Sequence, residues 1–223
     1  MGTRIPFQRP DGKTAEGYLA KSGKANAPGV VVIQEWWGLQ DQIKGICDRL
    51  ALAGYDALAP DLYGGTVAPY HDTDAANREM SSLNFLEATD QLLRGAAQLL
   101  GKSSPKVGLT GFCLGGAVTI LGSCRVPELA AGVCFYGLPP DTAAKPSDLK
   151  IPVQGHFASE DDWCTPEAVK GFEAGAKAAG KSVEFHVYDA GHAFVNEQRS
   201  VYDRKCAELA WERMLGFWKK HLG

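Results

Sequence analysis

Thr110-Gly111-Phe112-Cys113-Leu114-Gly115-Gly116 stands where an apolar run, Val107-Gly108-Leu109, stops and a helix-patterned segment begins. Glycines at 111, 115 and 116 flank the cysteine as G-x-C-x-G, so residues without side chains stand where a sharp strand-to-helix turn presses backbone against backbone. Such a turn lifts one side chain clear of the sheet, and here that side chain is Cys113. The following helix aims its free N–H groups and positive dipole end at the sulfur. A helix N-terminus favours the thiolate, the form that attacks a carbonyl carbon. Cys113 is therefore a candidate nucleophile.

The segments on either side of the elbow alternate strand and helix. Gly29-Val30-Val31-Val32-Ile33 is a continuous β-branched run, as a parallel strand buried on both faces requires. Ile43, Ile46, Leu50 and Ala53 recur at helical spacing over 40–53, closed by Gly54, and Tyr55 to Ala59 reads as the next strand. Residues 4–9 and 14–21 alternate around Pro10-Asp11-Gly12 and predict an antiparallel hairpin at one edge. A helix is expected over 74–100, with Leu83, Leu86, Leu93, Ala97 and Leu100 on its buried stripe. Beyond the elbow the pattern predicts strands over 131–135, 151–157 and 183–187, and a helix opened by Thr165 and Pro166. A terminal helix over 199–221 places Cys206, Leu209, Ala210, Met214, Phe217 and Trp218 on one face. The expectation is an α/β chain, a mostly parallel doubly wound sheet of about eight strands with helices on both faces, forming one domain over 1–223.

A formal net charge of −3 over 223 residues, with no block of like charges, leaves no electrostatic footprint for nucleic acid or an anionic membrane. The first residues lack the apolar core of a signal peptide and no run of 18 apolar residues occurs, so a cytoplasmic protein is expected. Six cysteines are scattered without C-x-x-C pairs, which suggests neither a zinc site nor a redox pair. Neither a metal nor a cofactor is called for.

Ligands of doubly wound sheets collect at the carboxyl ends of strands. There the sequence puts Glu35, Cys113, the pair Asp161 and Asp162, and His192 in the loop Asp189-Ala190-Gly191-His192-Ala193-Phe194. A nucleophile needs a base, and the base needs a group to hold its tautomer. The chain order nucleophile, acid, histidine is that of elbow hydrolases. His71, His186 and His221 read more simply as surface or capping residues, while His156 could lie near the site.

Four motifs in this order carry a resemblance over nearly the whole chain: Gln34-Glu35 before Trp36, Trp37 and Gly38; Pro60-Asp61-Leu62-Tyr63; Gly111 to Gly116; and Ala190 to Phe194. The chain resembles the dienelactone hydrolase family of α/β-hydrolases. The resemblance implies hydrolysis of a small ester or lactone through a thioester, with a Cys–His–Asp triad on Cys113, His192 and Asp161. Asp162 is the alternative acid, because it stands four residues before Pro166 as the family's acid does. By the same resemblance Glu35 holds the resting thiol and helps to form the thiolate, and the N–H groups of Leu114 and Trp36 form the oxyanion hole. Arg78 matches the first of two arginines that grip a substrate carboxylate in the family, whereas Asn196 occupies the position of the second and Arg199 lies three residues on. Trp37, with Trp36 and Trp163, is expected to favour apolar substrate groups. The partner is then a small molecule, and the chain is expected to be a monomer or weak homodimer.

Overall fold

The computed structural model describes residues 1–223. Strands β1 (Thr3–Gln8) and β2 (Thr14–Ala20) form the edge hairpin, followed by β3 (Gly29–Ile33), helix α1 (Asp41–Ala53) and β4 (Asp56–Pro60). Helix α2 (Thr73–Ser82) and a short α3 (Phe85–Glu87) lead through a π-helical turn, Ala88–Leu93, into α4 (Arg94–Gly101). The elbow joins β5 (Val107–Phe112) to α5 (Leu114–Arg125), and β6 (Leu129–Phe135), β7 (Val153–Glu160), α6 (Pro166–Ala178), β8 (Val183–Gly191) and α7 (Arg204–His221) complete the chain.

All eight strands form one sheet in the order β1-β2-β4-β3-β5-β6-β7-β8. Only the pairings of β2 with β1 and β4 are antiparallel. The parallel strands β3, β4 and β5 are buried at every position, as their unbroken apolar runs demand. One face of the sheet packs on α1 and α7 through Ile43, Leu50, Met214 and Trp218. The other packs on the π turn, α4, α5 and α6 through Leu93, Leu100, Val118, Leu121 and Phe172. The expected α/β-hydrolase architecture is the observed one. No helix is long and apolar enough to cross a membrane.

The structure corrects four expectations. The helix over 74–100 is broken at Leu83 and Asn84, because the Asn84 side chain accepts the N–H groups of Leu86 and Glu87 at 3.1 Å each and restarts the helix. The π turn then shifts the register, so Leu93, Ala97 and Leu100 are buried but Leu86 is half exposed. The terminal helix begins at Arg204, where the Asp203 carboxylate accepts the Cys206 N–H at 2.8 Å, and Leu209 lies on its exposed side. Ala53 is exposed at the end of α1. Strands β7 and β8 run to Glu160 and Gly191, beyond the apolar stretches that mark them in the sequence.

Candidate active site

Cys113 heads α5 with φ 54° and ψ −115°, a state that costs free energy for a residue bearing a Cβ. Its N–H donates to the Phe135 carbonyl at 3.1 Å, and its own carbonyl accepts the N–H groups of Gly116 and Ala117 at 2.9 and 3.2 Å. A Cβ on Gly111 would overlap the Gly115 carbonyl oxygen, and one on Gly137 would overlap the carbonyl oxygen of Cys113 itself. The glycines thus allow the close packing that fixes the elbow.

Glu160 at the end of β7 pairs with Gly191 at the end of β8, after a register irregularity. The next residues of the two strands, Asp161 and His192, are thereby set side by side. His192 Nδ1 lies 2.7 Å from Asp161 Oδ2, and His192 Nε2 lies 3.2 Å from Cys113 Sγ. The other Asp161 oxygen accepts the N–H groups of Trp163 and Cys164 at 2.8 and 2.9 Å. Burial by itself would raise the Asp161 pKa, but the bond to His192 and these two N–H groups hold it below the usual carboxylate value. For His192, burial works against the charged ring, and the bonds to Asp161 and Cys113 outweigh it, raising the pKa from 6.5 to about 10. Asp162 is exposed.

Glu35 is 2 % exposed. The Tyr136 hydroxyl donates to its Oε1 at 3.1 Å and the Asn196 amide to its Oε2 at 2.7 Å. Burial raises the carboxyl pKa, and the two hydrogen bonds offset this only in part. The Tyr136 ring in turn meets the His192 ring edge-on, with centroids 5.1 Å apart. The hydrogen bond of the Cys113 sulfur goes to His192, while Glu35 is held by Tyr136 and Asn196. The Trp36 N–H has no acceptor in the chain, and Leu114 is the first residue of α5, where N–H groups have no intrahelical partner.

The residues expected to touch substrate are placed less uniformly. Asn196 is fully buried, with its amide committed to Glu35 and, at 3.4 Å, to the Tyr70 hydroxyl. Trp37 is 1 % exposed, packed against Trp36 and Tyr70, with the Arg199 guanidinium 5.1 Å from its ring centroid. Trp36 is half-buried and its ring lies 5.8 Å from that of Trp163, which is 73 % exposed. Arg78 is exposed on α2, and no hydrogen bond or ion pair joins it to the other residues of the cluster. His156 is buried between the Tyr188 hydroxyl and the Gln154 amide at 2.7 and 2.9 Å, a polar contact inside the sheet. Tyr136 and Tyr70 join the cluster although no motif marks either of them. Tyr136 follows β6 at the same carboxyl edge as the others, which is the signal in the sequence that places it.

Comparisons with known proteins give the family of the chain as a whole. A model of the "Dienelactone hydrolase family" matches residues 15–222. "Protein usf" of Aquifex pyrophilus is 36 % identical over 234 residues, covering all of both chains. A "Putative carboxymethylenebutenolidase" of Aquifex aeolicus is 33 % identical over the same span and with the same coverage. Among solved structures, a "Putative Dienelactone Hydrolase" from Klebsiella pneumoniae superposes with a TM-score of 0.87 at 29 % identity, covering 99 % of this chain and 100 % of its own. An esterase from Pyrococcus furiosus, at 18 % identity and a TM-score of 0.73, shares the fold over 100 % of this chain and 94 % of its own. With that family matched from the edge hairpin to the terminal helix and relatives aligned end to end, the chain belongs to the dienelactone hydrolase family of α/β-hydrolases, a carboxylic ester hydrolase by class.

Proposed function

We propose that the protein hydrolyses small esters or lactones through a thioester on Cys113, with His192 carrying the proton and Asp161 holding the His192 ring. The observation that carries this reading is the unbroken contact from Cys113 Sγ to His192 Nε2 to the Asp161 carboxylate. The bonds to Asp161 and Cys113 raise the His192 pKa, which supports the ring as the group that takes the proton of the Cys113 sulfur to form the attacking thiolate. The sulfur attacks the carbonyl carbon, and the oxygen that becomes negative faces the N–H groups of Leu114 and Trp36. The intermediate collapses as the bond to the leaving oxygen breaks and His192 gives that oxygen its proton. Water, deprotonated by the now neutral ring, then hydrolyses the thioester and releases the acid. The proposed unit is one domain over 1–223, and the proposed substrate is a small molecule.

Glu35 belongs to this reading as a second carboxyl group of the site, with its pKa raised by burial and so a better proton acceptor than an exposed carboxylate. The half-buried Trp36 and the exposed Trp163 offer apolar contact, which favours neutral esters; Arg78, exposed on α2, meets an anionic group only if substrate reaches that helix. The test is substitution at the nucleophile. Cys113→Ala should abolish turnover of p-nitrophenyl acetate, and Cys113→Ser should leave on the order of 1 % or less, because a serine hydroxyl forms no ion pair with the ring. Intact mass spectrometry of the wild-type protein during turnover should find the acyl group on Cys113. Wild-type rates in either variant would overturn the reading.

A further inference from the structure

Two tryptophans carried by distant strands meet over the carboxyl edge of the sheet. Trp36 follows β3, which ends at Ile33, and Trp163 follows β7, which ends at Glu160. In the strand order β3-β5-β6-β7 those two ends lie three strand intervals apart, or about 14 Å at the usual spacing. Yet the indole rings stand with centroids only 5.8 Å apart, tilted by 56°. The side chains therefore reach toward each other across the ends of β5 and β6, the ends from which Cys113 and Tyr136 emerge.

The two halves of this aromatic bar are held differently. Trp36 is half-buried, packs edge-on against the buried Trp37 at 4.9 Å and joins the apolar cluster that contains Leu114, the first residue of α5. The bar thus crosses on the side where the N–H groups of Leu114 and Trp36 receive a substrate carbonyl in the proposed mechanism. Trp163 has its backbone pinned, since its N–H donates to Asp161 Oδ1 at 2.8 Å. Its side chain is 73 % exposed, belongs to none of the apolar clusters of the core and has Trp36 as its one aromatic partner. A single aromatic contact is a weak hold, and exposed side chains change rotamer quickly. Trp36 is the fixed end of the bar and Trp163 the movable end.

We infer that Trp163 is the specificity-determining residue for the acyl group. Esters of narrow, unbranched acids fit beneath the closed bar, whereas an acyl group branched next to the carbonyl has to break the contact between Trp163 and Trp36 before the carbonyl carbon reaches the sulfur. Branching at that carbon is the sensitive feature because the carbon stays beside Cys113 whichever way the ester lies. The inference deepens the proposed function and rests on the reading of Cys113 as the nucleophile.

Its test compares kcat/KM for p-nitrophenyl pivalate and p-nitrophenyl acetate in the wild type and in Trp163→Ala. The substitution lies at an exposed position, and the ratio of the two esters does not depend on the fraction of active enzyme. Trp163→Ala should raise the pivalate-to-acetate ratio at least about threefold, within the worth of one aromatic contact. A disturbance of Asp161 would slow both esters together and leave the ratio unmoved. In parallel, Cys113 is labelled with N-ethylmaleimide and with N-cyclohexylmaleimide, and the adducts are mapped by peptide mass. The cyclohexyl-to-ethyl rate ratio at Cys113 should rise by a similar factor in Trp163→Ala. A rise below threefold in either ratio overturns the inference, and so does a fall, which would mean that Trp163 grips the bulkier group instead of barring it. Turnover surviving in Cys113→Ala would overturn the proposed function, whereas the maleimide ratio reads the bar without turnover, so the two failures are distinct.

Discussion

Asn in place of Asp161 tests the carboxylate behind the histidine, and the structure sets the size of the effect. One carboxylate oxygen accepts two backbone N–H groups, from Trp163 and Cys164, while the other faces His192 Nδ1 at 2.7 Å. An asparagine can satisfy only one side. If its carbonyl stays on the two N–H groups, its NH2 faces Nδ1. The ring must then carry its proton on Nε2 and can no longer take one from the Cys113 sulfur. If the amide flips to restore the ring's partner, two buried N–H groups lose their acceptor at about 1–3 kcal/mol each. The competent arrangement is therefore disfavoured by roughly 2–6 kcal/mol, or about thirtyfold to 10⁴-fold. The assay is kcat/KM on p-nitrophenyl acetate for Asp161→Asn and Asp162→Asn in parallel, with acylation followed separately by stopped flow. Asp161→Asn should lose at least thirtyfold, and Asp162→Asn, an exposed position, should stay within about twofold. A loss below threefold in the first variant, or equal losses in both, would refute the assignment.

Glu35→Gln should alter the pH dependence of stability. The folded-state pKa of Glu35 is raised by burial above its ordinary 4.5, so its contribution is complete below 4.5 and is lost as pH rises through the folded value. Melting temperature across the acid range should thus fall with pH more steeply in the wild type than in Glu35→Gln. The acid limb of the pH–rate profile should move as well, and identical curves would leave Glu35 no role. Gly137→Ala should unfold at markedly lower temperature and lose activity, because its Cβ would overlap the backbone oxygen of Cys113, which no side-chain rotation relieves. An unchanged melting temperature would contradict the close packing proposed to hold the elbow.

What the sequence by itself determined was whatever depends on local order along the chain. The elbow is legible because glycine spacing and the switch from strand to helix period lie within a few residues of Cys113. The parallel sheet is legible because strands buried on both faces need unbroken apolar runs, and β3 to β5 supply them. Belonging to the sheet's carboxyl edge could be read for Glu35, Cys113 and His192 from where each strand stops. The choice between Asp161 and Asp162 could not be made this way. Neighbouring residues in a loop face different directions, and only the pairing of Glu160 with Gly191 turns one of them to His192. The break at Asn84 hid inside an apolar pattern that fits a continuous helix, because a capping side chain competes with the helix only once its partners are in place. Asn196 and Glu35 meet across 161 residues, and Tyr136 reaches the same carboxylate across 101. Such contacts leave no periodic trace, since they arise where separate strand ends converge. Only the tertiary structure decided that Asn196 holds Glu35, that Trp37 is buried beneath the site and that the Tyr63 hydroxyl faces inward unpaired.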